Sequence, residues 1–356
     1  MNKAGREWWV GSGGCRIGAP APGTEQHQPR ASHLSQGTAQ YQSGPGDLAP
    51  SPAQYQPGTG HPAASTAIVT ERTIGNLIAE ICELLTGANV PNPRREAVDL
   101  LAFALDVPRL WPTMHHQQLV SPQNVSFAVR AAELRASGAP FAYAVGRAAF
   151  RHLTLEVDDR VLIPRQETET LVEAVLRHAD TDGGLAVDIG TGSGAIALSL
   201  ASEARFERVI GTDVSSGALV VAGANAARLG SSLNSCVEFR HGAFLAPVAG
   251  LRAKLVVSNP PYIATAEARA LPSSVRDWEP PIALFSGSDG MAATAQIIRE
   301  AALVLEPFGL LALEVDSRRA ALAARIAADT THYCDIVILP DLTGRDRILL
   351  AIRTDR

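Results

Sequence analysis

Short apolar runs alternate with segments of helical periodicity through the second half of the sequence. The runs read LAVDIG at 185–190, RVIGTD at 208–213, KLVVSNPPY at 254–262, GLLALEVD at 309–316 and ILLAIR at 348–353. Buried strands that alternate with helices predict a doubly wound α/β sheet. Ligands of such sheets bind at the carboxyl ends of the strands, beside the topological switch point. Residues that directly follow these runs are therefore the candidates for a functional site.

A helical region precedes the sheet. Its first helix is predicted by apolar residues at helical spacing, namely Ile74, Leu77, Ile78, Ile81 and Leu85. Asn92 and Ser121, each followed by proline, predict the N-caps of two further helices. The predicted organisation is a helical bundle at 69–138, a linker and β-hairpin region at 139–165, and the α/β domain at 166–356.

The first 66 residues differ in composition from the rest of the chain. They are rich in Gly, Pro, Ser and Gln and show neither helical nor strand periodicity. Such a segment buries too little apolar surface to offset the entropy of ordering it. The sequence therefore predicts a disordered, low-complexity tail at 1–66.

Composition narrows the class of protein. The 356 residues carry a net charge of -5, without the basic excess that proteins bound to nucleic acid usually show. No apolar run approaches the roughly 18 residues that a membrane-spanning helix requires. The four cysteines have no metal-ligand spacing, so no metal is expected. These observations favour a cytoplasmic protein, which we expect to be a monomer.

The pattern D-x-G-x-G-x-G begins at Asp188, within the run at 185–190, and continues into the loop after it. Glycines allow a tight turn and let a ligand approach the backbone, because no Cβ intervenes. Asp213 ends the next run, where a carboxylate can accept hydrogen bonds from both hydroxyls of a ribose. The pattern predicts a nucleoside-containing cofactor, and the candidate binding residues are Asp188, Gly190, Thr191, Gly192, Ser193, Gly194 and Asp213. Dinucleotide enzymes use a similar loop, so this motif alone leaves a nicotinamide dehydrogenase open.

The tetrad Asn259-Pro260-Pro261-Tyr262 ends the run at 254–262, directly after its apolar part. Two prolines fix the backbone and remove two N–H donors, which leaves mainly acceptors. The side-chain carbonyl of Asn259 and the backbone carbonyl of Pro260 can hold both hydrogens of a planar NH₂ group. Tyr262 offers a flat face on which an amide or base can stack. The tetrad therefore predicts a catalytic site, formed by Asn259, Pro260 and Tyr262, that transfers a group to a planar nitrogen.

With both motifs, the sequence resembles the HemK/PrmC-type release factor glutamine methyltransferases from about residue 71 to its end. The resemblance is carried by GRAAFRHLTLEVDDRVLIPRQETETLVE at 146–173, SNPPYI, WEPPIALFSGSDGM at 278–291 and the terminal DLTGRDRILLAIR. It implies a Rossmann-like class I methyltransferase fold with S-adenosyl-L-methionine as the cofactor. The implied substrate is N5 of the glutamine in the Gly-Gly-Gln motif of class 1 peptide chain release factors.

The resemblance also implies roles for particular residues. The cofactor would contact the glycine loop, with Asp188 facing its amino acid moiety, and also Asp213, Ala243, Phe244 and Asn259. The glutamine would be held by Asn259, Pro260, Pro261 and Tyr262, while Arg165 and Glu167 would shape the pocket wall. The helical bundle would help to hold the protein substrate.

The sequence departs from the family pattern at three places. The usual R-P-E-T-E reads RQETE at 165–169, and LEVDSRRA at 313–320 replaces the His-Gly that many relatives carry after the Glu. Gly242 stands where relatives carry the acid that would bind the adenine amino group. We therefore expect Gly242→Asp to tighten cofactor binding.

Two functions of other classes stay open. The tetrad is shared with adenine-N6 and cytosine-N4 DNA methyltransferases, so an amino methyltransferase acting on a nucleic-acid base remains an alternative. A binding module that has lost catalytic activity is the other.

Overall fold

The structure is a computed structural model that describes residues 72–355. The predicted tail at 1–66 lies outside the described residues. Among residues 72–355, no helix combines the length and apolar character needed to cross a membrane.

The described chain begins with helices that pack around a core of their own. They are α1 (Ile74–Gly87), α2 (Pro93–Leu105), α3 (Trp111–Met114), α4 (Pro122–Ala136) and α5 (Phe141–Val145). The apolar series predicted for α1 is buried, because its five members share one face of the helix. The Ser121 side chain caps α4 by accepting a hydrogen bond from the Asn124 amide, as predicted.

One detail of these helices differs from the sequence-based expectation. Asn92 occupies the N-cap position of α2 in a left-handed conformation, and its side chain makes no capping hydrogen bond. Pro93 therefore sets the start of the helix, because its φ angle is already helical. The buried face of α4 consists of alanines, namely Ala128, Ala131 and Ala132.

A hairpin and a seven-stranded sheet follow. The strands are β1 (Arg147–Phe150), β2 (Leu153–Glu156), β3 (Leu185–Ile189), β4 (Arg208–Asp213), β5 (Cys236–His241), β6 (Ala253–Ser258), β7 (Leu305–Glu314), β8 (Tyr333–Pro340) and β9 (Asp346–Arg353). The first two pair antiparallel as the hairpin. All five apolar runs of the sequence form strands of the large sheet.

The large sheet has the order β5-β4-β3-β6-β7-β9-β8. Its first five strands are parallel, and β9 joins β7 and β8 antiparallel. The helices of this part are α6 (Gln166–His178), α7 (Ala195–Glu203), α8 (Ser216–Leu229), α9 (Ser273–Arg276), α10 (Pro281–Leu284), α11 (Ala292–Val304) and α12 (Ala320–Asp329). Separate apolar cores lie on the two faces of the sheet, which confirms a doubly wound, Rossmann-like fold.

The strand order reverses between β3 and β6. These two strands are neighbours in register, with Ile189 paired to Ser258. The Ser258 hydroxyl also donates a hydrogen bond of 2.7 Å to the Ile189 carbonyl. The glycine loop after Ile189 and the tetrad after Ser258 therefore start side by side, at the switch point where such sheets bind ligands.

Candidate active site

A cavity of about 420 Å³ lies at this switch point. That volume is within the usual range for a small-molecule or cofactor site. Of the predicted site residues, eight line it: Gly190, Gly192, Asp213, Ala243, Phe244, Asn259, Pro260 and Pro261. The remaining predicted residues lie outside its lining, namely Asp188, Thr191, Ser193, Gly194, Tyr262, Arg165 and Glu167.

The glycine loop turns through three left-handed residues. Gly190, Gly192 and Gly194 have φ angles of 68°, 56° and 84°. A Cβ at Gly194 would also lie 2.9 Å from a methyl carbon of Leu198 in α7. Larger residues would strain both the turn and the packing of the helix, so this sequence is needed to bring the loop backbone to the cavity wall.

Asp188 supports the loop from beneath. Its side chain is fully buried, and Oδ2 accepts hydrogen bonds from the Thr191 hydroxyl at 2.7 Å and the Ala197 amide at 3.1 Å. Burial raises the pKa of the Asp188 carboxyl to about 7, although the Thr191 and Ala197 hydrogen bonds act to lower it. The geometry makes Asp188 a brace between the loop and the first turn of α7, and places it behind the cavity wall.

Asp213 lies at the carboxyl end of β4 and lines the cavity. One carboxylate oxygen accepts a hydrogen bond from the Gly192 amide at 2.9 Å, and the other from the Ser215 amide at 2.8 Å. Each oxygen has further acceptor capacity, because an ionised carboxylate offers about four lone-pair positions. Asp213 can thus hold the glycine loop and a pair of ligand hydroxyls together.

We expect Asp213→Ala to lower cofactor affinity about tenfold or more, because charge-assisted hydrogen bonds contribute about 1.5–3 kcal/mol each. Calorimetric titration with S-adenosylmethionine measures the effect. Asp213→Asn is the matched control, since it keeps one acceptor oxygen and should lose less affinity. An unchanged dissociation constant in the alanine variant would place the ribose elsewhere.

Gly242 lies where the family carries an acid, and the structure argues against restoring it. A Cβ added to Gly242 would lie 2.6 Å from Cγ of Pro247, and the residue has a φ angle of 152°. Its amide donates a hydrogen bond of 2.9 Å to the Asp213 carbonyl, which ties the loop to β4. The structure therefore gives the opposite expectation for Gly242→Asp, because the added side chain would displace the loop that lines the cavity.

We expect both Gly242→Ala and Gly242→Asp to weaken cofactor binding and lower the melting temperature. Calorimetry and thermal unfolding measure the two effects. Gly223→Ala is the control, because a Cβ at this position in α8 meets nothing within 4 Å and alanine favours a helix. Tighter binding in Gly242→Asp would show that the loop adapts.

The tetrad lies at the end of β6 with its amide side chain anchored. Nδ2 of Asn259 donates a hydrogen bond of 2.9 Å to Oγ1 of Thr168. Because the NH₂ group is used in this way, the carbonyl oxygen is the group that Asn259 can offer to the cavity. The Tyr262 hydroxyl lies 3.5 Å from a carboxylate oxygen of Glu314. Burial raises the pKa of the Tyr262 hydroxyl above its ordinary value.

Arg165 and Glu167 have different environments. Arg165 forms a salt bridge with Glu279, whose side chain is only 1% exposed, whereas Glu167 is exposed at the start of α6. Pro280, which follows Glu279, lines the cavity. Arg165 is therefore linked through Glu279 to a segment that lines the cavity.

Sequence reasoning missed Thr168, Glu279 and Glu314 as parts of the site. All three are buried polar residues. Thr168 and Glu279 lie within stretches that carry the family resemblance, whereas Glu314 lies in the stretch at 313–320 that departs from it. The polar character of these residues within otherwise apolar or family-like stretches could have marked them as candidates. Their proximity to one another, however, follows only from the fold.

The fold and the site define a class I methyltransferase, whose cofactor is S-adenosylmethionine. The glycine loop and the strand-end carboxylate that line the cavity fit this cofactor. Residues 166–272 match the family described as methyltransferase small domain, and residues 76–146 match the PrmC N-terminal domain.

The release factor glutamine methyltransferase of Moorella thermoacetica is 40% identical over 284 residues, covering 80% of this chain and 99% of the relative. The enzyme of the same name from Xylella fastidiosa is 40% identical over 267 residues, covering 74% and 95%. A solved methyltransferase structure from Pyrococcus furiosus has a TM-score of 0.43 at 18% identity, covering 58% of this chain and 91% of that one. The chain belongs to the release factor glutamine methyltransferase family.

Proposed function

We propose that this protein transfers a methyl group from S-adenosylmethionine to the side-chain amide N5 of the glutamine in the Gly-Gly-Gln motif of class 1 peptide chain release factors. The observation that carries the proposal is the anchored amide of Asn259 beside the glycine loop. A carbonyl oxygen held there accepts a hydrogen bond from a planar NH₂ group. Release factors act on ribosomes, so the proposal also places the protein in the cytoplasm.

The tetrad holds the acceptor nitrogen. The Asn259 carbonyl and the Pro260 backbone carbonyl accept its two hydrogens, while the two prolines keep the backbone rigid. Tyr262, with its hydroxyl directed to Glu314, supports the same wall. The cofactor would supply an electrophilic methyl group on its sulfonium sulfur, so that the N–C bond forms as the C–S bond breaks, S-adenosylhomocysteine leaves with the bonding electron pair, and the nitrogen releases one proton to solvent. As positive charge grows on the nitrogen, the two carbonyl dipoles stabilise it without reorganising, and the alignment lowers the entropic part of the barrier.

We assign cofactor binding to the glycine loop and to the segments that follow β4 and β5. The backbone of Gly190 and Gly192 lines the cavity without side chains, and Asp213 accepts hydrogen bonds from ribose hydroxyls. Ala243 and Phe244 form an apolar surface for the adenine. Asp188 keeps the loop in place from behind.

We assign binding of the protein substrate to the helical region at the start of the described chain. Apolar side chains are exposed there, including Leu110 at 67% and Met114 at 70%. A partner surface on these helices would lower the KM of the intact release factor relative to a short peptide containing the Gly-Gly-Gln motif. Equal KM values would remove the helices from substrate binding.

Incubation with methyl-labelled cofactor, followed by mapping of the labelled residue, tests the function. The expected product carries the label on the glutamine of the Gly-Gly-Gln motif. A release factor with alanine in place of that glutamine is the matched control and should remain unlabelled. Label on a nucleic acid instead would favour the base amino methyltransferase, and no label on any acceptor with intact cofactor binding would favour a non-catalytic module.

A further inference from the structure

Three polar side chains from distant parts of the chain, two of them buried and Asn259 half-buried, form one hydrogen-bonded relay. Thr168 in the first turn of α6 is 4% exposed, and Glu314 at the end of β7 is fully buried. The Thr168 hydroxyl lies 2.7 Å from Oε2 of Glu314, and Nδ2 of Asn259 lies 2.9 Å from the Thr168 oxygen. The relay therefore ends on the residue that holds the acceptor nitrogen.

The relay has a defined direction when Glu314 is ionised. A carboxylate only accepts hydrogen bonds, so the Thr168 hydroxyl must be the donor of the hydrogen bond to Glu314. The Thr168 oxygen is then an acceptor, which selects the NH₂ group of Asn259 as its partner. This orientation presents the Asn259 carbonyl oxygen to the cavity.

The opposite orientation would be unproductive. A protonated Glu314 can donate to the Thr168 oxygen, which frees the Thr168 proton for the carbonyl of Asn259. The asparagine would then direct its NH₂ group at the NH₂ group of the substrate. Two donors facing each other cannot form a hydrogen bond, and the positive charge that grows on the nitrogen would lose its acceptor.

We propose that Glu314, acting through the Thr168 hydroxyl, is a positioning residue that sets the amide orientation of Asn259 for methyl transfer. The inference rests on the proposed function, because it assumes that Asn259 accepts a hydrogen bond from the substrate nitrogen. Neither Thr168 nor Glu314 lines the cavity, so their effect is transmitted through Asn259.

The charged and polar groups around Glu314 place its protonation near neutral pH. Burial raises the pKa of Glu314 to about 7, and nearby Glu167 of α6 also raises it. The Thr168 hydrogen bond, Arg347 of β9 and the Tyr262 hydroxyl act to lower it. The productive orientation is therefore expected above the pKa of Glu314 and lost below it.

Three variants test the relay on the full-length protein. Thr168→Val keeps the shape and removes the hydroxyl, and we expect kcat to fall about 10- to 100-fold, as for other residues that orient a functional group from behind. Thr168→Ser restores the hydroxyl and should recover most of the activity. The dissociation constant for S-adenosylmethionine should stay within about twofold in both, which separates positioning from loss of the fold.

The pH dependence gives a second readout. Wild-type kcat should fall as the pH drops below the pKa of Glu314, and Glu314→Gln should lack this acid limb because the amide does not titrate. Without any cofactor or substrate, the side-chain NH₂ resonances of Asn259 should titrate over the same range in wild type. They should not do so in Glu314→Gln.

The outcomes separate the inference from the proposed function. If wild type methylates the release factor and Thr168→Val keeps its kcat, or if the Asn259 resonances do not titrate, the positioning role is wrong. If wild type leaves the release factor unlabelled, the proposed function fails and the inference fails with it. A recovered kcat in Thr168→Ser together with the lost acid limb in Glu314→Gln supports it.

Discussion

Asn259→Ala is expected to lower kcat about a hundredfold to a thousandfold, which corresponds to roughly 2.7–4 kcal/mol of activation free energy for the loss of one preorganised dipole. The carbonyl of Asn259 faces a nitrogen that becomes positive only as the methyl group arrives. An interaction that is stronger in the transition state than in the ground state affects turnover when it is removed. Single-turnover kinetics at saturating cofactor and release factor measure the change.

Asn259→Asp is the matched control for this prediction. Aspartate keeps an acceptor oxygen and the shape of the side chain, but it has no NH₂ group to donate to Thr168. It also adds a negative charge to a relay that already contains Glu314. Partial activity in the aspartate variant is therefore expected. Wild-type turnover in Asn259→Ala would remove the tetrad from the active site.

The sequence predicts the sheet well because its signals are local. Four of the five parallel strands are short apolar runs, whereas β5 at Cys236–His241 is not, and the loop at Gly190–Gly194 requires glycines at fixed spacing. The sequence pattern does not predict β8 at Tyr333–Pro340, because all of its residues except Tyr333 are half-buried or exposed. Local periodicity therefore accounts for the elements that form the cavity, and less well for the edge of the sheet.

The sequence predicts less about the direction of the polar side chains. The position of Asp188 before the glycines predicts a contact with the cofactor, but the sequence does not predict that its Oδ2 accepts hydrogen bonds from Thr191 and Ala197. Thr168 and Glu314 are 146 positions apart, and no local pattern relates them. The close approach of Gly242 to Pro247 likewise depends on how the loop folds. Contacts of this kind follow from packing and are therefore visible only in the structure.

The second large effect concerns stability. Arg165→Met is expected to destabilise the fold by about 3 kcal/mol, the lower end of the range for breaking a buried ion pair, because the Arg165 side chain is 34% exposed. It leaves the carboxylate of Glu279 buried without its cationic partner. Chemical denaturation measures the free energy of unfolding. Cofactor affinity should also fall, since Pro280 beside Glu279 lines the cavity.

The sign of the pH dependence of the free energy of unfolding shows whether the unpaired charge of Glu279 causes the loss of stability in Arg165→Met. Burial raises the pKa of Glu279 above its ordinary value of 4.5, and Arg165 and the Ile163 amide act to lower it. Without Arg165 the pKa rises further, so the folded state holds a proton that the unfolded state releases. The free energy of unfolding then falls as the pH rises above 4.5, and the deficit of Arg165→Met relative to wild type grows with it.

Measurements at about pH 5 and about pH 8 should therefore give a small and a large deficit, respectively. The double variant Arg165→Met/Glu279→Gln replaces the isolated charge with a neutral amide, and it should recover most of the lost stability at the higher pH. Glu279→Gln alone controls for the amide itself. A deficit that is equal at both pH values, or that persists in the double variant, would show that Arg165 acts through packing of its side chain instead of through the charge of Glu279.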